Sequence, residues 1–233
     1  MTRFALLLPA VLVACGELHL DAFAREPPSA PPAGGVSGNG GRPNGAGGTS
    51  TSPTAGAAGL PPRDPLLIDD FEDQDKRCSA SDGFWYQSTD GTGVPAFGVE
   101  ATNDRPGSGF ALHASGVGFT AWGSLVGVNL AGTKSYFDAT GYQALRFWAR
   151  ASAASTRTLT VSLLETNLHY QTDIELGQEW REYVFPFGSA KVPEGAPPFD
   201  PAVLSALQFF VLTGEAFDFW LDDLTFTTST TAN

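Results

Sequence analysis

The side chains best suited to chemistry lie in the run Tyr142-Gln143-Ala144-Leu145-Arg146-Phe147-Trp148-Ala149-Arg150. Read as a strand, it turns successive side chains to opposite sides of a sheet. Leu145, Phe147 and Ala149 make a face fit to lie on a core, and Arg146, Trp148 and Arg150 make the other. An indole between two guanidiniums is what a sugar-reading face needs. The ring stacks on the weakly polarised C–H face of a sugar, and the cations hydrogen-bond its hydroxyls. The same pattern also suits a Trp packed beneath a loop, with Arg stems covering the ring. The first reading requires this side of the sheet to stay open to water as a slot; the second requires it to be filled.

A second polar set follows. His169, Gln171 and Asp173 share one parity, after Thr160 and Ser162, and extend the same candidate binding face; Trp122 and Tyr170 are the aromatics available to join Trp148, although Tyr170 has the opposite parity to His169. A solvated strand face accounts for these polar residues equally well. The acidic ends of the domain form a third set. Alternation places Asp222 with Trp220, Leu224 and Phe226, on a side that looks inward. A buried carboxylate must be paired, bind a metal or cap backbone amides. On the first strand, Asp70 and Glu72 share a face, and their spacing fits the roughly 5–5.5 Å of a retaining glycosidase pair. They open the domain rather than line a groove, which argues against hydrolysis. No Gly-x-Ser-x-Gly, His-Glu-x-x-His or phosphate-loop pattern occurs, and the scattered His19, His113 and His169 with the isolated Cys78 make no Cys/His pair.

The elements that must position these groups are strands. A formal net charge of -12, with no basic stripe, argues against nucleic acid as a partner. Only 16% of residues are charged and Gly and Pro are abundant, which favours strands and turns over long helices. The spacing predicts strands near 66–72, 96–101, 109–115, 124–130, 142–150, 157–165, 170–176, 180–187, 205–212 and 217–227, with a helical turn at 201–206 capped by Asp200. Many short alternating strands without helical patterns predict an all-β fold, an antiparallel β-sandwich or jelly roll, over residues 66–233. Before it, residues 27–65 hold 10 Gly, 9 Pro and no aromatic, so residues 16–65 are expected to be a disordered tether. At the start, Phe4 to Ala14 is apolar but too short to span a bilayer, and residues 1–15 read as an export signal.

Two resemblances add to this reading. Leu12-Val13-Ala14-Cys15-Gly16 resembles the lipobox of bacterial lipoproteins, which implies a lipidated Cys15, attachment to the membrane through it, and placement at the outer membrane or cell surface. With Cys15 acylated, Cys78 has no disulfide partner. Within the domain, several phrases occur in a telling order. They are Leu67-Ile68-Asp69-Asp70-Phe71-Glu72-Asp73, Gly83-Phe84-Trp85-Tyr86, Trp122-Gly123, Phe137-Asp138-Ala139-Thr140-Gly141-Tyr142 and Phe219-Trp220-Leu221-Asp222-Asp223-Leu224. Together they resemble the galactose-binding-domain-like sandwich of family-eleven carbohydrate-binding modules. The resemblance implies a jelly roll, a groove on one sheet that holds a polysaccharide such as a β-glucan, and often a structural calcium. By the same resemblance Glu72 and Asp222, with Asp104 as a further candidate, would hold that calcium and staple the termini. The sandwich glucanases that cut such chains carry a further Glu two residues before the first Asp of this motif, where this chain has Leu67. The expected function is therefore non-catalytic polysaccharide binding, and the alternative from another class is a structural or adhesion module that contacts a protein.

Overall fold

The computed structural model describes residues 65–212, 214 and 216–231. The expected export signal, Cys15 and the expected tether up to residue 64 lie outside the described residues. No helix among the described residues is long and apolar enough to cross a membrane.

Eleven strands form among the described residues: β1 (Leu66–Asp69), β2 (Trp85–Thr89), β3 (Val94–Ala101), β4 (Phe110–Val117), β5 (Ser124–Asn129), β6 (Ala144–Ala151), β7 (Thr158–Glu165), β8 (Leu168–Glu175), β9 (Arg181–Pro186), β10 (Leu204–Val211) and β11 (Phe217–Thr227). They make two antiparallel sheets, one of six strands in the order β3-β4-β11-β6-β9 with β1 also on β11, the other of five in the order β2-β5-β10-β7-β8. The expected antiparallel sandwich is the fold found. A 3-10 turn over Pro201–Val203, capped by Asp200 accepting from the Ala202 amide at 3.0 Å, replaces the expected turn over 201–206, because β10 already begins at Leu204.

Alternation builds the core. Leu145, Phe147 and Ala149 of β6, Leu159, Val161 and Leu163 of β7, and Leu207 and Phe209 of β10 are all buried between the sheets. Phe147 and Phe209 meet edge to face across the layers at 5.6 Å, and Trp85 stacks near Phe209. Cys78 is buried too, and burial pushes its thiol above the usual range. The first strand pairs with the last, Leu66 opposite Phe226, which closes the domain on itself.

One irregularity changes the reading of the sequence. Pairing of β11 slips between Asp222 and Thr225, and Asp223 takes a left-handed φ of 47°. This bulge lets Asp222 and Asp223 break the alternation. Phe217, Phe219 and Leu221 point into the core before it, and Leu224 and Phe226 after it. Trp220 and Asp222 therefore belong to the outer side of the six-stranded sheet, not to the core side that uninterrupted alternation predicts.

Candidate functional site

The two outer faces of the sandwich are built from different residues and behave differently. On the five-stranded sheet, strand register sets outward side chains into rows that cross all five strands. Tyr86, Gly127, Gln208, Ser162 and Gln171 make the central row. On one side of it run Asn129, Ala206, Leu164 and His169, with Phe84 beside Asn129; on the other run Ser88, Leu125, Phe210, Thr160 and Asp173. Gly127 and Ser162 flank Gln208 in the central row, Phe210 stands on the middle strand beside it, and Phe84 and Tyr86 stand at the β2 end.

Local chemistry fixes the rings. Trp85 must point inward, because its indole N–H donates at 2.8 Å to the fully buried Asp69. Its neighbours Phe84 and Tyr86 must then point outward. Phe84 is 53% exposed, and its ring meets that of Tyr86 at 6.5 Å and 68°. A side chain at Gly127 would put its Cβ 2.8 Å from the Tyr86 ring, so a glycine here lets the ring lie over β5. Tyr86 Oη accepts from Gln208 Nε2 at 2.8 Å, while Gln208 Oε1 is buried with no hydrogen-bond partner. Phe84, Tyr86, Asn129, Leu164, Lys134 and Ser135 surround a cleft of about 380 Å³ at this end of the face. Its walls offer two aromatic rings, and its rim offers an amide, a hydroxyl and an ammonium.

His169, Gln171 and Asp173 lie on this same face, along β8. His169 packs edge-on to Phe210 at 5.7 Å and contacts Ser162 Oγ at 3.4 Å. Burial holds its pKa below the ordinary value, and the Gln208 side chain pulls the other way. Asp173 accepts from Thr160 at 2.7 Å and pairs with Lys191 at 3.2 Å; the hydroxyl and the ammonium hold its carboxyl below the usual range. Trp122 sits in the turn before β5, 41% exposed, next to Gly123. Tyr170 is fully buried, its hydroxyl donating to the Pro197 carbonyl at 3.0 Å.

Arg146, Trp148 and Arg150 do not join them. They project from β6 on the outer side of the other, six-stranded sheet, so the two polar sets read from the sequence occupy opposite sides of the sandwich. There the expected slot is filled. His113 stacks flat on Trp220 at 4.1 Å, and the Arg150 guanidinium covers the Trp220 ring at 3.8 Å. Arg150 and Arg105 both lie near the Trp180 ring, and Arg105 caps Trp148 at 5.0 Å. His113 is held between Glu100 at 3.0 Å and Asp218 at 2.8 Å, and Arg146 lies 3.7 Å from Glu182. Trp148 is a ring covered by a guanidinium, the filled alternative of the two that its sequence context allowed.

The carboxylates expected to hold calcium do not fit that role. Asp222 is fully buried and pairs with Arg105 at 2.6 Å; Asp223 pairs with the same guanidinium. Burial nevertheless pushes Asp222 up to about 6. Glu72 accepts from the Gly109 amide at 2.8 Å, the Phe110 amide at 3.2 Å and Ser108 Oγ at 3.1 Å, and these bonds, led by that from Gly109, lower its pKa. That is the opposite of what a glycosidase acid requires. Asp104 is engaged by Thr102, Trp180 and Arg150. No group of three or more His, Cys, Asp or Glu among the described residues is placed to hold a metal. Glu72 and Asp222 both reach the loop that carries Arg105 and Ser108, and the cation beside Asp222 is the Arg105 guanidinium.

The sequence reading missed Phe84, Tyr86, Asn129 and Gln208. A signal for the first two was present, since an inward Trp85 forces its neighbours outward.

Solved structures share this architecture. The family 11 carbohydrate-binding module from Clostridium thermocellum, solved in complex with a beta-1,3-1,4-mixed-linked tetrasaccharide, is similar at a TM-score of 0.51 and 13% identity, over 72% of this chain and 98% of that one. The family 30 carbohydrate-binding module of a cellulosomal cellulase from the same organism is similar at a TM-score of 0.52 and 15% identity, over 72% of this chain and 99% of that one. At these identities the likeness is one of fold. No family model and no curated protein matches the sequence.

Proposed function

We propose that residues 66–233 form a non-catalytic polysaccharide-binding module, and that its ligand lies on the outer face of the five-stranded sheet. One observation carries this reading: the exposed Phe84 ring and the half-buried Tyr86 ring line one cleft, beside polar groups at its rim. Rings that stack on sugar C–H faces, with amide and hydroxyl groups near enough to bond the ring hydroxyls, are the usual chemistry of a concave, partly apolar site. The sandwich shared with carbohydrate-binding modules agrees with it, although a fold alone does not assign a ligand. The mixed-linked tetrasaccharide in the family 11 module makes a β-glucan the first ligand to test. The lipobox resemblance at Cys15 supports attachment of the module to a membrane through a lipid, and Cys15→Ser should then release the protein from membranes.

The test is affinity electrophoresis of the protein through gels containing mixed-linked β-glucan, xylan, mannan or no polysaccharide. Retardation by at least one polysaccharide, abolished by a Phe84→Ala/Tyr86→Ala double variant that unfolds at the same temperature, is the expected result. Unretarded migration in every gel would remove the proposal and favour a protein-contacting module.

A further inference from the structure

A second concavity lies at the end of the sandwich, away from the cleft just described. It encloses about 490 Å³, and Tyr142, Tyr170, Pro186, Phe187, Pro198 and Phe199 supply most of its wall. The rings pack on one another, Tyr170 with Phe199 at 5.3 Å and Phe187 with Phe199 at 5.6 Å. None of its lining residues is charged. A groove of Tyr, Phe and Pro without charge is the surface that receives polyproline II segments, whose rings fit between aromatic ridges at little entropic cost.

Strand register indicates which segment reaches it. Leu66 pairs with Phe226 in an antiparallel ladder, and Phe226 packs against both Tyr142 and Phe187 of the groove wall. Because that ladder is antiparallel, β1 starts beside the end of β11, and Thr230, just past that end, also lines the groove. A few residues before that start the sequence reads Leu60-Pro61-Pro62, uncharged and the only Pro-Pro pair within 25 residues of β1. Four to six residues of polyproline II cover about 12–19 Å, enough to run from β1 across the groove mouth.

We propose that this groove is the docking site of the chain's own segment Leu60-Pro61-Pro62, so that the folded unit begins at Leu60 rather than at Leu66. The docked prolines hold the last part of the tether against the sandwich and fix where the chain leaves it.

Arg63 gives the test, because trypsin cuts after it and the next residue is Asp64. The experiment follows cleavage after Arg63 in the full chain. It compares wild type with Pro61→Ser/Pro62→Ser, which leaves the sandwich untouched, and with Val192→Asp, at a half-exposed rim position of the groove. Docking predicts that cleavage after Arg63 is about tenfold faster in both variants, since proteolysis tracks the population of the open form. Equal rates in all three proteins would overturn the proposal. Acceleration by Val192→Asp alone would overturn it too, because the prolines would then not be what the groove holds.

Discussion

The two outer faces of this sandwich carry similar residue types to opposite effect. On the six-stranded sheet, the indoles stand against cations: Trp220 stacks with His113 and under Arg150, and Trp148 lies beneath Arg105. On the five-stranded sheet, the Phe84 ring meets that of Tyr86 edge-on, and among the described residues no cation stands over either ring. Stacked against its own guanidiniums, an indole is spent on stability; left uncapped over small neighbours, a ring can receive a ligand. Aromatic content alone does not mark a binding face. The charge standing over the ring decides.

The largest effect should come from breaking the filled face at its anchor. Arg105 is 7% exposed and Asp222 is fully buried, so Arg105→Met leaves a carboxylate in the interior without its cation. The expected cost is about 3–5 kcal/mol in urea denaturation at neutral pH. Adding Asp222→Leu should restore most of it, because the pair can be replaced by apolar groups of similar volume. Polysaccharide affinity of the folded fraction should not change. A loss of affinity without a loss of stability would reverse the roles given to the two faces.

Beneath the open face, the Trp85–Asp69 bond fixes which way β2 turns its rings. Burial pushes the Asp69 carboxyl up to about 6, above its ordinary 3.8, with the Phe71 amide and the Trp85 indole opposing. A raised carboxylate pKa means that the folded state holds the proton more tightly. This group therefore favours folding below pH 3.8, and that contribution is lost as pH rises towards about 6. The indole N–H chiefly supports the ionised form. Trp85→Phe should thus cost about 1–3 kcal/mol more at pH 7.5 than at pH 4.5, read from paired denaturation curves. A cost independent of pH would mean that only packing is lost and that the bond does not orient β2.

The two faces can also be set against each other directly. Gly127→Ala brings a Cβ within 2.8 Å of the Tyr86 ring and 2.9 Å of the Leu207 carbonyl oxygen, which is backbone and cannot give way. The ring must move, and affinity should fall about tenfold, with about 1 kcal/mol lost from stability. Trp148→Phe, on the filled face, should leave affinity as it is. The opposite pattern, measured by isothermal titration with the retained polysaccharide, would return the ligand to the side of Trp148.

Much of the fold was legible because alternation is a local property. The ladders of β6, β7 and β10 follow from which side chains are apolar, and so does the sandwich. β2 escaped because Trp85-Tyr86-Gln87-Ser88-Thr89 is short and mostly polar, although it carries Tyr86 and directly follows Phe84, the two rings of the candidate cleft. The face assignments failed for two physical reasons. Parity says which side of its own strand a residue takes, but not which sheet the strand joins, so His169 and Trp148 were read as neighbours. The bulge after Asp222 also resets parity within β11, and nothing in Leu221-Asp222-Asp223-Leu224 announces it. Arg105 was invisible for a third reason: its partner is 117 residues away, a separation that no spacing rule covers.

The smallest expected effect concerns the cation of the filled face. If calcium stapled the termini there, it would bind the folded state alone, and its removal would lower the melting temperature. Calcium takes six to eight oxygen ligands, and the carboxylates expected to supply them are engaged elsewhere. Glu72 is bonded by the Gly109 and Phe110 amides and Ser108, Asp222 by Arg105 and the Asp223 amide, and Asp104 by Thr102, Trp180 and Arg150. A metal would have to displace a guanidinium already paired at 2.6 Å and leave that charge nearby. EDTA should therefore leave the melting temperature unchanged, and millimolar calcium should not raise it. A clear fall with EDTA, reversed by calcium, would mean that Arg105 is not the resident cation, and with it would go the claim that this face is closed by the protein's own charges.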